Sequence, residues 1–224
     1  MGAHPHRGLT LVEMMVGLAL GLFVVAIATS LLVSRIREHR AMLLEARLMQ
    51  DLRTAVDVVT RDLRRAGYWG EANAALARQG AGTARANPYA AVSPSSGASD
   101  AVSFRYSRDA TENHTLDSNE QFGFRLRAGV IEMLLGSGSW QALTDSGTLV
   151  VTAFGVTPTV QEISLLDFCA KECMPAGPAC GPKQQVRSID VAVTGHAATD
   201  VNVVRTLRGQ VRLRNDAVIG ACPA

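Results

Sequence analysis

Three patterns of hydrophobic and polar positions follow one another along the chain. From Leu9 to Val33 the residues are apolar or small, and Glu13 is the one ionisable side chain among them. At about 1.5 Å per residue such a run forms a helix of about 37 Å, enough to cross a bilayer core of about 30 Å with some tilt. From Arg35 the pattern becomes amphipathic. Leu48, Leu52, Ala55, Val59, Leu63 and Ala66 recur at spacings of three and four, the stripe of a helix packed along one face. Opposite lie Arg47, Asp51, Arg53, Asp57, Arg61 and Arg64, a solvated face of mixed sign. On it Asp57 and Arg61 can pair at i,i+4 for a few tenths of a kcal/mol. Neither proline nor glycine interrupts residues 22–66, and Gly67 supplies a C-cap. These two patterns predict one helix from about Leu9 to Ala66, roughly 87 Å long. Its first half suits membrane or fibre, and its second half is the spine of a globular head.

The third pattern is strand-like. Residues 71–101, rich in Ala, Gly, Ser and Asn, predict a long irregular connection. Alternating runs then appear at Ala101–Ser107, Gln121–Arg127, Val130–Leu135, Thr148–Phe154, Glu162–Phe168, Val186–Thr194 and Val201–Arg214. Turn residues separate them, as in an antiparallel meander. One long helix followed by such strands predicts an α+β fold, with the helix packed on an antiparallel β-sheet.

The carboxylate in the apolar run changes the picture. An acid at the centre of a spanning helix costs on the order of 2.5–3.5 kcal/mol, so Glu13 is a functional candidate by default. A secretory signal peptide would place small residues for cleavage after the apolar region. Here the leader, with His4, His6 and Arg7, stops at Gly8, and after Val33 the chain runs directly into Ser34-Arg35-Ile36-Arg37. Cleavage before the run would leave it in place as an anchor.

The residues Gly8-Leu9-Thr10-Leu11-Val12-Glu13 resemble the prepilin motif of type IV pilins and of the related pseudopilins of type II secretion. The resemblance implies that prepilin peptidase cuts between Gly8 and Leu9 and methylates Leu9, and that Glu13 is the motif's assembly residue. Leu9 stands where major pilins usually have Phe. The physical case for Glu13 is charge pairing: once the leader is gone, Leu9 carries a buried amine, and a neighbouring subunit's carboxylate can neutralise it. Asp62-Leu63-Arg64-Arg65-Ala66-Gly67-Tyr68-Trp69-Gly70 resembles the helix end of PilW-type minor pilins, and Val211-Arg212-Leu213-Arg214-Asn215 their last strand. The implied organisation is a leader at residues 1–8, a transmembrane and assembly half-helix at 9–33, an amphipathic half-helix at 34–70, and a pilin head at 71–224. The resemblance implies a minor pilin of the initiating or tip complex. Its expected partners are the peptidase, other minor and major pilins, and the inner membrane. Its head would be periplasmic before assembly and part of the pilus afterwards. A type II secretion pseudopilin shares the whole plan.

Composition narrows the chemistry. The formal net charge of +2 points to neither a nucleic-acid binder nor an enzyme for acidic substrates. Arg35, Arg37 and Arg40 follow the anchor and offset Arg7, so topology rests on the motif more than on the positive-inside rule. Cys169, Cys173, Cys180 and Cys222 have spacings that fit no common zinc pattern. An exported head favours two disulfides over metal, with Cys173–Cys180 and Cys169–Cys222 the preferred pairing among three connectivities. Gly17 and Gly21 fit either tolerance within lipid or close helix packing.

Weaker groupings remain. Asp109, Glu112, Asn113, Asp117, Asn119 and Glu120 crowd one loop with oxygen ligands, but not at EF-hand spacing, so a polar surface loop is expected rather than a calcium site. Arg208, Arg212 and Arg214 share one face of the last strand, opposite Leu207, Val211 and Leu213. A solvated face explains this, and a stripe binding DNA or another pilin is the alternative. No nucleophile elbow, zinc-helix motif, phosphate loop or acid pair appears, and His114 and His196 suggest no triad. A structural subunit without cofactor is expected. A membrane-anchored protein whose head captures DNA or a surface is the alternative of another class.

Overall fold

The computed structural model describes residues 10–75, 85–136, 138–171, 180–220 and 222. Helix α1 spans Leu11–Leu63. The chain divides into two compact units, Met1–Ala46 and Arg47–Ala224, with the boundary inside α1. In the first unit every described residue from Thr10 to Leu43 is exposed. In the second the expected stripe is the buried face: Leu48, Leu52, Ala55, Val59, Leu63 and Ala66 are all in the core, joined by Val56.

The helix ends three residues before Ala66. The Arg65 and Ala66 amides bond the carbonyls of Asp62 and Leu63, tightening the last turn, and Gly67 then adopts φ +76°. That left-handed backbone is cheap only for glycine. Arg61 lies 4.0 Å from Asp62, and no Asp57–Arg61 pair forms among the described residues.

The strands form two antiparallel sheets. The first is a meander of β1 (Val92–Ser93), β2 (Ala101–Arg105), β3 (Gln121–Arg127), β4 (Val130–Leu135) and β5 (Trp140–Ala142), in that order. Its registers place Phe104 opposite Phe122 and Val102 opposite Phe124. Phe104, Phe122, Phe124 and Tyr106 stack on its buried face, so the few aromatics are concentrated here. The second sheet holds β6 (Leu149–Ser164), β7 (Lys183–Ala197) and β8 (Asp200–Arg212), with β9 (Ala217–Ile219) pairing the start of β7. Buried residues of both sheets and the helix stripe make one hydrophobic cluster.

The runs at Thr148–Phe154 and Glu162–Phe168 are not separate strands. Gly155 and Pro158 do not break β6, because the Val156 amide and carbonyl face Ser99 rather than β7. Pro158, two residues on, points the same way and removes no bond to β7. The ladder ends at Ser164 opposite Lys183, since Pro182 precedes it and has no amide to give; Leu166–Phe168 turns into a short 3-10 helix instead.

One glycine sets the distance between helix and sheet. A Cβ on Gly209 of β8 would lie 2.7 Å from Val56 Cγ1 and 3.2 Å from Thr60 Cγ2. Its absence lets α1 lie close on the second sheet.

Candidate functional site

At the start of α1 the Glu13 amide donates to Thr10 Oγ1 at 3.3 Å, and the Met14 amide to the Thr10 carbonyl at 3.1 Å. Thr10 therefore caps the helix, and Thr10-x-x-Glu13 is the capping-box spacing. The signal for this cap lies in the sequence itself, a threonine three residues before a glutamate at the start of the apolar run. The Glu13 side chain sits in the first turn, where an acid also opposes the positive end of the helix dipole. Gly8 and Leu9, the expected cleavage pair, lie outside the described residues.

The apolar part of α1 is exposed along its described length. A Cβ on Gly17 or Gly21 would meet nothing within 4 Å. Its hydroxyls bond back to the helix: Thr29 to the carbonyls of Val25 and Ala26, and Ser30 to that of Ile27. The segment thus offers a solvent no unsatisfied hydroxyl, as lipid requires.

At the other end of α1, the carbonyls left over by the last turn are closed by side chains from elsewhere. Asn215 Nδ2 donates to the Ala66 carbonyl at 3.0 Å and Asn87 Nδ2 to that of Gly67 at 3.0 Å, while the Arg214 amide reaches the Arg64 carbonyl at 3.3 Å. Arg187 of β7 locks this junction by donating to the Asn215 carbonyl at 2.9 Å and to the Ala90 carbonyl at 2.6 Å. Burial pulls the Arg187 pKa down, and nearby Asp216 opposes that. The helix end and the last strand, two separate segments of the resemblance, meet here.

The acidic loop folds onto the same end. Glu112 accepts from the Gly70 amide (3.1 Å), the His114 amide (3.0 Å) and the Tyr89 hydroxyl (3.1 Å). Burial would raise its pKa, but these bonds and one from Ser107 outweigh it and leave the carboxyl below its usual range. Burial, followed by the bond to Glu112, pushes the Tyr89 hydroxyl well up. Trp69 Nε1 donates to His114 Nδ1 at 3.2 Å, and His114 Nε2 lies 3.2 Å from Glu71. Fully buried Glu120 accepts from the amides of Arg108 and Asp117, both at 2.8 Å. Asp109 accepts from the Asn113 amide, and Asn113 Nδ2 donates to Asp117. These oxygens, with Asn119 under the Gly136 turn, organise the loop. Among the described residues no three His, Cys, Asp or Glu side chains converge as a metal site.

Cys169 and Cys222 form a disulfide across 53 residues, with Cα atoms 5.4 Å apart. Cys180 is also disulfide-bonded, and Cys173 lies outside the described residues. The arginine face of the last strand divides. Arg208 lines a shallow depression with Asp190, Arg212 at the end of β8 pairs with Asp216 at 2.9 Å, and Arg214, past that end, lines a groove with Arg61 of α1 and with Arg64 and Arg65 just after it. Periodicity found the first three arginines, but the tertiary meeting with the helix was not legible from it.

The family model described as prepilin peptidase-dependent protein B matches residues 41–213. The chain belongs to that family. The model of the prokaryotic N-terminal methylation motif matches residues 4–29, over the leader and the start of α1. Comparison with curated proteins and with solved structures found no match. As a member of the family the chain is a pilin-like prepilin and a substrate of prepilin peptidase, and pilin-like families are families of structural subunits. The apolar helix and the methylation motif make it membrane-anchored before assembly.

Proposed function

We propose that this prepilin is a minor pilin that enters a type IV pilus through the apolar half of α1, in the initiating or tip complex. Peptidase cleavage between Gly8 and Leu9 would free a methylated Leu9 amine, and Glu13 of one subunit would pair with that amine on the next. The observation that carries this reading is Glu13 itself: one charge in the first turn of a helix exposed throughout residues 10–43. Within the chain it takes part in a cap, but a cap alone would not need an acid inside an apolar run. The Cys169–Cys222 disulfide supports a head exposed to an oxidising compartment, here the periplasm. Other minor and major pilins are then the partners of α1, and the PilW-type resemblance of the helix end and last strand fits an initiating subunit.

The experiment has two readouts. Mass spectrometry of the mature chain should find methylated Leu9 as its first residue, and an intact Met1 or a start beyond Val33 would contradict the processing. Cross-linking of the full chain in cells, followed by purification from membranes, should recover pilins. Recovery of type II secretion components alone would assign it to a pseudopilus.

A further inference from the structure

We propose that the arginine groove at the end of α1 binds single-stranded nucleic acid, with phosphates on Arg64 and Arg214 and a base on Tyr68. The inference is independent of which filament the chain enters. The groove, about 570 Å³, is lined by Arg61, Arg64, Arg65, Tyr68, Arg214 and Asn215. It continues through Arg64 and Arg214 into a second depression flanked by Arg212. Two carboxylates pair with this set: Asp62 lies 4.0 Å from Arg61, and Asp216 lies 2.9 Å from Arg212. Arg64 and Arg214 have no ion pair among the described residues. Arg65 is held in place with its guanidinium 4.2 Å from the centre of the Tyr106 ring.

Arginines at a helix C-terminus commonly answer the negative end of the dipole. Here that end is already closed, because Asn215, Asn87 and the Arg214 amide take the carbonyls of Ala66, Gly67 and Arg64. The guanidiniums are left for an external anion, and their concentration contrasts with a whole-chain charge of only +2. Two features favour a nucleic-acid strand over an acidic protein segment. Tyr68 is about half exposed (49 %) beside the arginines, a platform for an unstacked base. The lining, completed by Ser107, also carries no aliphatic side chain against which the apolar face of a protein segment could be buried.

The test is fluorescence anisotropy of a labelled oligothymidylate with the full chain in uncharged detergent, over a salt series. Each phosphate contact on a single strand contributes about −0.7 to the slope of log K against log salt. Arg64→Gln with Arg214→Gln should therefore flatten the slope by about 1.4 and weaken binding. Tyr68→Ala should weaken oligothymidylate binding about ten-fold and duplex binding far less. Arg127→Gln, on an exposed position of β3, removes a charge elsewhere and should change little. Thermal melting checks that each variant is folded. Equal effects of Arg127→Gln and either groove arginine, or no effect of Tyr68→Ala, would overturn the proposal. Polyglutamate binding as tightly as oligothymidylate would also overturn it, and would assign the groove to an acidic protein segment.

Discussion

Asn215 Nδ2 donates to the Ala66 carbonyl at 3.0 Å, across 149 residues of sequence. It ties the turn that closes α1 to the segment between β8 and β9, and Arg187 holds Asn215 by donating to its carbonyl. Asn215→Ala leaves the Ala66 carbonyl without this donor. The expected loss is about 1–3 kcal/mol, the cost of an unsatisfied buried acceptor. Denaturant unfolding of the full chain in detergent measures it.

A second prediction concerns helix–sheet spacing. Gly209→Ala places a methyl 2.7 Å from Val56 Cγ1, so either α1 shifts or Val56 repacks. Overpacking of this kind costs about 1–3 kcal/mol. Val56→Ala in the Gly209→Ala background should recover part of the loss, a coupling that a double-mutant cycle reads directly. Additive effects would mean that the helix does not rest on this glycine.

Glu112 makes stability depend on acid. Its folded pKa is depressed, whereas the unfolded carboxyl titrates at about 4.3. Its contribution is complete above that unfolded value and is lost as pH falls through the folded one. Melting temperature should therefore drop on acidification below the ordinary carboxylate range. Glu112→Gln should be less stable at neutral pH and show a shallower acid limb.

Much of this architecture was legible. Leu48, Leu52, Ala55, Val59, Leu63 and Ala66 are apolar at helical spacing because one face must be buried, so the stripe reads straight from the chain. Gln121–Arg127 alternates, Val130–Leu135 is a short apolar run broken only by Glu132, and both are strands with those bounds. Other features depend on distant neighbours. Pro158 looks like a terminator until Ser99 is seen on the outer edge of β6. Nothing around Arg187 or Asn215 announces that they meet the helix end, because a cap made from 149 residues away has no local pattern. The acidic loop shows the reverse: its ligand-like composition is real, but Glu112 and Glu120 are occupied by backbone amides.

The Cys169–Cys222 disulfide closes a long loop and should be worth about 2–5 kcal/mol. Cys222→Ser should lower the free energy of unfolding by that amount, read from denaturant unfolding. Chelators should leave melting unchanged, and mapping under non-reducing conditions should find no free thiol. Stoichiometric zinc in protein from an oxidising compartment would contradict the disulfide account.

The central claim is that Glu13 serves assembly by pairing with the Leu9 amine of a neighbouring subunit. Glu13→Gln keeps the polarity but removes the charge, and Glu13→Leu removes both while easing membrane insertion; the Thr10 cap, which uses the backbone amide of residue 13, is kept in each. The decisive measurement is filament incorporation of these two variants, with membrane fractionation and N-terminal mass spectrometry confirming insertion and processing. The account predicts that both are processed and inserted but enter filaments poorly, because the buried amine is left uncompensated. Wild-type incorporation of Glu13→Gln would leave the charge without a role in assembly, and wild-type incorporation of Glu13→Leu would contradict charge pairing outright.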